Sequence, residues 1–317
     1  MHPSGEQHVL RHGPLRAVVT QVGASLRSLT DDGRDLVVPF AAEEVRPVFR
    51  GAVLAPWPNR VVDGRWSLPD LGAASDVEHQ LSLTEPARGH ALHGLLAWAP
   101  FERTGGGEGA DAAELQLSAR VWPRLGYPFA VDVVVDYRLD DGGLTTTVTG
   151  TGLGDDPAPW GCAAHPYLTA GSGRVDDWTA RAEASSYLEA LGDRLLPGEV
   201  RPVDGTPRDL RGGRPLAGVE LDDALTDVRA EAADGLAHVG VVGADGLGAE
   251  VVWDPAVLPW VQVHTADRPE PELDRAGLAV EPMTCPPDAL NSGTGVVRLA
   301  RGESASASWT IRPLRGA

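Results

Sequence analysis

The chain alternates apolar and polar residues in several separate segments, and this pattern constrains its fold more than any other feature. In the segments at residues 114–121, 131–139 and 304–311, every odd-numbered residue is apolar or aromatic, and most even-numbered residues are polar. A period of two places successive side chains on opposite faces of a β-strand, with one face buried and one in water. Half-buried strands of this kind are typical of antiparallel sheets.

The rest of the sequence adds shorter candidate strands and little helical periodicity. The run DDGG at residues 140–143 predicts a hairpin turn between the second segment and LTTTVTGTG at residues 144–152. The run TGGGEGADAAE at residues 104–114 predicts a flexible hairpin loop. Further strands are predicted at residues 17–22, 35–38, 80–83, 237–242, 250–253 and 260–264, and a turn or two of helix at residues 41–45 and 182–188.

The organisation of the chain favours one domain. No long linker, low-complexity tract or clear internal repeat divides its 317 residues. The 38 glycines and 26 prolines favour many short strands joined by turns over a helical bundle. The sequence therefore predicts a single all-β domain over residues 1–317, a large antiparallel β-sandwich with few short helices.

The charged residues exclude several classes of function. The net charge is −18 and no basic cluster stands out, so nucleic acid is not an expected partner. All 27 basic residues are arginine, which excludes a lysine Schiff base, a pyridoxal phosphate anchor and a P-loop lysine.

Cysteine and apolar content indicate the environment of the chain. Cys162 and Cys285 are its two cysteines; they form neither a disulfide framework nor a CxxC metal spacing, so no metal is expected. No run approaches the ~20 apolar residues of a membrane span, and the first residues lack an apolar signal core. We expect a soluble, cytoplasmic protein with reduced thiols and no membrane association.

Five segments place ionisable side chains where strand packing does not need them. Taken singly, each residue has an ordinary structural interpretation, such as a hydrogen-bonded core histidine, a turn-capping aspartate, a loop carboxylate or a salt bridge at a strand end. The segments are APWPNRVVDGRW with Arg60, ALHGLL with His93, CAAHPYLTAG with His165, ELDDALTDV with Asp222 and Asp223, and LAVEPMTCPPDALNSG with Glu281.

Taken together and in order, these segments resemble the aldose 1-epimerase family, the galactose mutarotases. The resemblance spans about residues 51–293 and rests on NRV, LHG, HPYL, LDDAL and VEPMTCPPDALNSG, at residues 59–61, 92–94, 165–168, 221–225 and 280–293. It implies a large antiparallel β-sandwich that binds a monosaccharide. It also implies interconversion of the α and β anomers of a free hexose without metal or cofactor.

The resemblance assigns roles to individual residues. Glu281 matches the general base and His165 the general acid of the family. The residues expected to contact the sugar are Arg60, His93, Asp222, Gln262 and Asn59, together with Trp57 and Trp160 as the tryptophans nearest the motifs. Two departures leave the sugar open: Leu95 stands where the family often has a second glycine, and Met283 where it commonly has glutamine.

A carboxylate and a histidine suit this reaction. The base takes the proton of the C1 hydroxyl and the acid protonates the ring oxygen; the ring opens, C1–C2 rotates and the ring recloses. Surroundings can bring both pKa values near the working pH, with the histidine protonated and Glu281 ionised when the ring opens. Cys162 and Cys285 lie close in sequence to His165 and Glu281, so both thiols are expected in the wall of the site.

Three alternatives stay open at this point. A hexose-6-phosphate or sulfonated-hexose epimerase needs a cationic pocket, which the arginines can supply. A non-catalytic carbohydrate-binding protein of the same fold is disfavoured because both Glu281 and His165 are present. A glycosidase needs two carboxylates, such as Glu281 with Asp222 or Asp223, and leaves His165 without a role. Whether the protein is a monomer or a homodimer is left open.

Overall fold

The computed structural model describes residues 1–315, and its regular structure is almost entirely β. In the first part of the chain the strands are β1 (Gln7–His12), β2 (Leu15–Thr20), β3 (Ser25–Asp31), β4 (Arg34–Asp35), β5 (Val53–Leu54), β6 (Arg60–Val61), β7 (Arg65–Trp66), β8 (His79–Gln80), β9 (Ala91–Leu92), β10 (Glu102–Glu108), β11 (Ala113–Val121), β12 (Val131–Asp140) and β13 (Gly143–Gly152). They are followed by β14 (Ala158–Trp160), β15 (Ala163–Ala164), β16 (Tyr167–Leu168), β17 (Thr179–Ala182), β18 (Ala184–Leu191), β19 (Leu196–Pro202), β20 (Arg214–Pro215), β21 (Asp222–Val228), β22 (Ala237–Val242), β23 (Leu247–Trp253), β24 (Trp260–His264), β25 (Leu278–Met283), β26 (Val297–Leu299) and β27 (Ser304–Arg315).

Helical structure is confined to single turns. One α-helical turn, α1, covers Ala289–Ser292, and short 3₁₀ turns occur at Pro47–Phe49, Val62–Gly64, Gly72–Ala74 and Val175–Asp177. Within residues 1–315, the helices are far too short to cross a lipid bilayer.

The larger sheet has nine antiparallel strands in the order β10-β11-β12-β13-β27-β23-β22-β17-β20. Its centre contains the three alternating segments, and the predicted DDGG hairpin joins β12 to β13, where Asp140 pairs with Gly143. The odd-numbered residues of β12 are buried, as the alternation predicts. On the other face of β13 and β27, opposed hydroxyl side chains hydrogen-bond in pairs such as Thr145 with Thr310 and Thr147 with Ser308, at 2.8 and 3.0 Å.

The second large sheet has eight strands, in the order β19-β18-β21-β24-β25-β15-β5, with β16 also paired to β25. Along β24 the alternation divides the side chains between two sides. Val261 and Val263 join the main apolar cluster, while Trp260, Gln262 and His264 point to the opposite face. This opposite face carries the site described below.

One main apolar cluster connects the two large sheets. It draws residues from Leu10 near the start of the described chain to Ile311 near its end, including Val133 from the larger sheet and Val280 from the second. The strands that carry them therefore pack as an antiparallel β-sandwich, as predicted.

Three local predictions are wrong. Residues 182–188 do not form a helix, because β18 pairs with β19 on one side and β21 on the other. Residues 41–45 form turns rather than a helical turn. The glycine-rich run at residues 104–114 is mostly strand, since β10 pairs with β11 and leaves a short connection at residues 109–112.

Several predicted strands are confirmed. Residues 237–242 and 260–264 coincide with β22 and β24, and residues 250–253 lie within β23. Residues 17–22 overlap β2, which begins and ends two residues earlier. The segments at residues 35–38 and 80–83 contribute only the ends of β4 and β8.

Candidate active site

Neighbouring strands of the second sheet bring polar side chains to one face. In the register of the sheet, Gln262 lies opposite Glu281 and Asp222 lies opposite His264. Directly opposed residues project to the same side, and so do residues two apart in a strand. These side chains therefore stand together on the face that points away from the main core.

The two predicted histidines come from irregular segments at the edge of this face. His93 follows β9 with a positive φ of 62°, and its backbone N–H donates to the Asn59 carbonyl at 2.9 Å. Gly94 follows with φ 71°, and a Cβ atom there would lie 2.2 Å from the carbonyl oxygen of Ala55. The LHG motif thus needs its glycine to turn the chain directly after His93.

His165 lies between β15 and β16, and the alternation of its neighbours decides which way it points. Cys162 and Ala164 belong to the main apolar cluster, whereas Ala163 belongs to a smaller cluster on the other side of the strand. His165 follows the direction of Ala163, and its ring stacks on that of Tyr167 at 4.9 Å between centroids.

A cavity of about 380 Å³ lies over this face. Its walls combine polar side chains from the sheet with loop residues between β8 and β9 and before β5. The lining residues are Val48, Phe49, Asn59, Arg60, Thr84, Glu85, Pro86, Ala87, Arg88, Leu92, His93, His165, Asp222, Gln262, His264, Asp267, Arg268 and Glu281.

Glu281 and His165 form a close pair at the base of the cavity. His165 Nε2 lies 3.4 Å from Glu281 Oε1, and the two side chains are only 6% and 2% exposed. The potential ligand atoms of His93, His165 and Glu281 all lie within 4.8 Å of one another, so these three residues are also the group best placed to hold a metal ion.

Burial favours the uncharged form of each member of the pair. Desolvation raises the pKa of Glu281 well above its usual range, and nearby Asp222 adds to the rise. Desolvation lowers the pKa of His165 well below its usual range, helped by His93, His264 and Arg268. Both shifts favour a proton on Glu281 over the predicted proton on His165.

His93 is buried in the same way. Desolvation lowers its pKa to about 3, and the charge of Arg60 acts in the same direction. His93 is therefore neutral at physiological pH and able either to donate or to accept a hydrogen bond from a sugar hydroxyl.

Arg60 is fixed by carboxylates on two sides. Its Nε and Nη2 donate to Glu85 at 2.8 and 3.1 Å, and Nη2 lies 3.5 Å from Asp222 Oδ2. Arg88 Nη1 donates to the same Glu85 carboxylate at 2.9 Å. A forked contact of this kind holds a guanidinium in one orientation.

A chain of amide hydrogen bonds orients the polar residues beside Arg60. Asn59 Nδ2 donates to Gln262 Oε1 at 3.2 Å, and Gln262 Nε2 donates to Asp222 Oδ1 at 2.7 Å. Burial disfavours ionisation of Asp222, but His264, Arg60 and Gln262 together lower its pKa. Asp222 is thus an ionised hydrogen-bond acceptor in the cavity wall.

The aromatic wall of the cavity is Phe49 rather than either predicted tryptophan. The Phe49 ring meets the His93 ring edge-on at 4.8 Å and lies parallel to the His165 ring at 6.4 Å. Val48 before it has φ 40°, a strained value for a β-branched residue. At the outer end, Phe49 contacts the half-exposed Trp98 at 5.9 Å between centroids, and the Arg46 guanidinium covers Trp98 at 4.2 Å.

The structure does not bring the two predicted tryptophans into the cavity. Trp160 is buried against Gly150, where an added Cβ would lie 2.5 Å from its ring. Trp57 is also buried and lines an adjoining groove rather than the cavity. Both belong to the main apolar cluster, so proximity to the motifs in sequence was a poor guide to their direction.

The two thiols also lie outside the cavity wall, contrary to prediction. Cys162 and Cys285 are both free and buried in the main apolar cluster. Cys162 lies between β14 and β15, and Cys285 lies two residues after the end of β25, so both thiols belong to connecting segments that turn toward the core. Burial raises the pKa of both thiols.

All the predicted site residues except these two tryptophans line the cavity. The family model described as aldose 1-epimerase matches the chain over residues 6–312. The chain belongs to the aldose 1-epimerase family. Membership makes the protein an isomerase of the racemase and epimerase class.

The relatives of the chain include a bacterial protein and a mammalian galactose mutarotase. The chain is 32% identical over 305 residues to "Uncharacterized protein YihR" of Escherichia coli (strain K12), covering 96% of this chain and 92% of that protein. It is 30% identical over 250 residues to the galactose mutarotase of Homo sapiens, covering 71% of this chain and 66% of that protein.

Solved structures share the fold at lower identity. The GalM/aldose epimerase homologue from C. elegans superposes with a TM-score of 0.83 at 19% identity, covering 98% of this chain and all of that one. The galactose 1-epimerase from Lactobacillus acidophilus gives a TM-score of 0.79 at 16% identity, covering 96% and 92%. The sandwich is therefore the fold of aldose 1-epimerases.

Sequence reasoning missed several lining residues of this aldose 1-epimerase. His264 is two residues after Gln262 in the same strand, so the alternation alone could have placed it on the site face. Glu85, Phe49 and Arg268 lie in turns and loops that follow no period, and only the folded chain brings them to the cavity.

Asp223 takes the opposite direction to Asp222. It is buried and pairs with Arg208 Nε at 2.8 Å, outside the cavity lining. Asp223 is therefore unavailable as the second carboxylate of a glycosidase at this site.

Proposed function

We propose that the protein is a mutarotase that interconverts the α and β anomers of a free hexose, with Glu281 and His165 as its proton-transfer pair. The observation that carries this proposal is the 3.4 Å separation of His165 Nε2 and Glu281 Oε1 in a buried, sugar-sized cavity. Ring opening needs one proton removed from the C1 hydroxyl and one delivered to the ring oxygen, and adjacent groups can do both.

The pair needs to hold one proton between its two members. When that proton is on His165, the ionised Glu281 takes the proton of the C1 hydroxyl while His165 protonates the ring oxygen. The C1–O5 bond breaks, an aldehyde forms, and rotation about C1–C2 exposes its other face. Reclosure reverses both transfers and restores the pair, so no net proton is consumed.

The other cavity residues position the sugar. Arg60 and Asp222 are held in fixed orientations by Glu85 and Gln262 and offer a donor and an acceptor to ring hydroxyls. His93 is neutral and lies beside the His165 ring, at 5.1 Å between centroids, so it can contact the oxygen that His165 protonates. Phe49 excludes water from the two histidines, which strengthens the hydrogen bonds within the cavity.

Polarimetry of freshly dissolved α-glucose and α-galactose tests the proposal. Glu281→Gln keeps the shape of the side chain and removes the base, so the rate should fall by about 10²–10⁴-fold while sugar binding survives. Glu250→Gln is a matched control, because that buried carboxylate pairs with His238 and Arg312 away from the cavity. A near-normal rate for Glu281→Gln would contradict the assigned base.

His165→Asn tests the other member of the pair. The variant should lose activity mainly through a lower kcat, because proton transfer is needed in the transition state more than in ground-state binding. Release of reducing sugar from aryl glycosides by the wild-type protein, without any effect on mutarotation, would instead support a glycosidase. Sugar binding without either activity would support a non-catalytic carbohydrate-binding protein.

A specific observation favours a second candidate, an epimerase for a phosphorylated or sulfonated hexose. Arg268 lines the cavity and has no carboxylate partner for its side chain among residues 1–315; its Nη2 lies 3.4 Å from His264 Nε2. Arg60 and Arg88, by contrast, are neutralised by Glu85 and Asp222. A phosphate or sulfonate would complete the ion pairing of Arg268.

The two candidates predict different substrate preferences and a different role for Arg268. If the hexose is anionic, kcat/KM for glucose 6-phosphate or a 6-sulfonated glucose should exceed that for glucose, and Arg268→Met should remove the advantage. If the hexose is neutral, glucose or galactose should be the better substrate. Arg174→Met serves as the control, because that exposed arginine contacts the Asp274 carbonyl outside the cavity.

A further inference from the structure

The buried group formed by His93, His165 and Glu281 has the composition of a transition-metal site. Two imidazoles and one carboxylate are a ligand set that zinc uses in catalytic sites, with a water molecule in the fourth position. Mg²⁺ and Ca²⁺ prefer sites made wholly of oxygen ligands. The group would therefore select a metal such as Zn²⁺ over the alkaline-earth ions.

The spacing of the group fits this coordination. Ligand atoms held roughly 2.0–2.1 Å from a tetrahedral Zn²⁺ lie about 3.3 Å apart. His165 Nε2 and Glu281 Oε1 lie 3.4 Å apart. All three ligand atoms lie within 4.8 Å of one another, so the third side chain has to approach by at most about 1.5 Å to complete the set.

Each of the three side chains has one polar atom without a partner among residues 1–315. Among the described residues, His93 Nδ1, His165 Nδ1 and Glu281 Oε2 are buried without a hydrogen-bond partner. A metal ion bound by His165 Nε2 and Glu281 Oε1 would replace the 3.4 Å contact between these two atoms and the proton that they share. The cavity above the group leaves room for a bound water molecule.

Charge near the group is balanced. Arg60 lies nearby, but Glu85 and Asp222 neutralise it. The ionised Asp222 favours a cation in the cavity, whereas Arg268 opposes one. His93 Nδ1 and His165 Nδ1 have no hydrogen-bond partner among the described residues. In resident metal sites, a carboxylate or carbonyl usually accepts a hydrogen bond from this second nitrogen and orients the ring.

We propose that His93, His165 and Glu281 bind one Zn²⁺ ion reversibly, and that the ion and the sugar exclude each other from the cavity. The metal-binding part of this proposal is independent of the proposed function. The inhibition that follows from it rests on the proposed function, because a metal on His165 and Glu281 occupies the atoms that transfer protons.

Metal binding is tested on the full-length protein after chelator treatment and dialysis. Calorimetric titration with zinc chloride alone should give one saturable equivalent per chain. Cobalt chloride should give the strong visible absorption of a four-coordinate site, and excess Zn²⁺ should remove it. Glu281→Gln and His165→Ala should each weaken binding by at least about 100-fold, since loss of a ligand exceeds loss of an outer-shell contact.

Two control variants separate this site from other metal-binding side chains. His238→Ala removes a partly buried histidine that contacts two carboxylates, Asp234 and Glu250, at 3.0 and 3.1 Å away from the cavity. A Cys162→Ser, Cys285→Ser double variant removes both thiols. Both controls should retain the cavity site. Absence of saturable binding by the wild type, binding that survives loss of Glu281 or His165, or binding abolished by a control variant would overturn the proposal.

Competition distinguishes failure of the site from failure of the proposed function. Zn²⁺, but not Mg²⁺, should raise the apparent KM of mutarotation and leave kcat unchanged, and excess sugar should displace Co²⁺. A protein that binds the metal at this site but lacks mutarotase activity would contradict the proposed function alone. An active protein that ignores Zn²⁺ would contradict the metal site alone.

Discussion

At the scale of single residues, Glu281 is a buried carboxyl group whose position lowers the stability of the fold. Its Oε2 lacks a hydrogen-bond partner among the described residues, and burial raises its pKa. An ionised carboxylate in such a position destabilises the folded state unless a proton or a ligand compensates.

We therefore expect Glu281→Gln to stabilise the protein in a pH-dependent way. At about pH 3, below the ordinary glutamate pKa of about 4.3, this carboxyl group is protonated in both the folded and the unfolded wild type, so the wild type and the variant should be similarly stable. As the pH rises, the unfolded wild type releases this proton while the folded protein retains it, so the wild type loses stability up to the raised folded pKa. At about pH 8 the variant should be more stable by on the order of 1 kcal/mol or more.

Thermal melts across this pH range check the prediction. Glu250→Gln is again the control: its carboxylate accepts from Arg312 Nε at 2.8 Å, so its replacement should destabilise the protein. A Glu281→Gln melting temperature below that of the wild type at both ends of the range would contradict the expectation.

The pH dependence of mutarotation is the second expectation at this scale. The pair is active with one proton, so kcat/KM should follow a bell that falls when a second proton enters and when the last one leaves. Arg268 is one of the charges that lower the pKa of His165. Arg268→Met should therefore move the acid limb measured with glucose to higher pH; a shift to lower pH would count against this electrostatic role.

The polar residues of the site could be predicted from the sequence because each lies within a short motif that resembles the family. Arg60, His93, His165, Asp222 and Glu281 were all expected together, and the structure places them around one cavity. The same reasoning could not find Phe49 or Arg268, because their positions depend on how loops cross the cavity. It misplaced Trp160, since sequence distance to a motif says nothing of which face a strand residue takes.

At the scale of elements, period-two alternation was reliable wherever one face of a strand is buried. It located β11, β12 and β27, whose inward residues join the main core. It failed for β18, where Ala184, Leu188 and Leu191 have helical spacing, and much of the strand is half-buried between its two neighbours. Two-residue strands such as β9 are too short to display any period.

Two neighbouring glycines in the edge strand β10 differ in how strongly their positions require glycine. Gly106 has φ 102°, and an added Cβ would lie 2.3 Å from the carbonyl oxygen of Glu114. Gly107 has open space at the same position. Gly106→Ala should destabilise the protein by roughly 1–3 kcal/mol, whereas Gly107→Ala should be neutral or stabilise it by about 0.4–1 kcal/mol.

Urea unfolding of the two variants measures this difference. Because both glycines occupy the same strand and neighbouring positions, changes in β-propensity largely cancel between them. Equal stability of the two variants would mean that the conformation of Gly106 is not required for the pairing of β10 with β11.

At the scale of the whole molecule, the main apolar cluster joins strands from both ends of the described chain. Leu10 and Ile311 belong to it, as do Val133 and Val280 from the two large sheets. Parts of a chain that share one core lose it together, so we propose that the protein unfolds as one domain.

Differential scanning calorimetry should then give a single transition whose calorimetric and van't Hoff enthalpies agree. Refolding should be confirmed by a second scan, because the comparison requires reversibility. Two separated transitions would contradict the single-domain prediction, which was drawn from the absence of a linker in the sequence.

The positions of the tryptophans allow intrinsic fluorescence to report on the surroundings of the cavity. All nine tryptophans lie within residues 1–315, and only Trp98 and Trp122 are largely exposed, at 52% and 60%. Trp122 stacks with Arg120 on the larger sheet, whereas Trp98 adjoins Phe49 at the rim of the cavity. A collisional quencher such as acrylamide should reach the emission of these two indoles, and after Trp122→Phe the quenchable fluorescence would come from beside the cavity entrance.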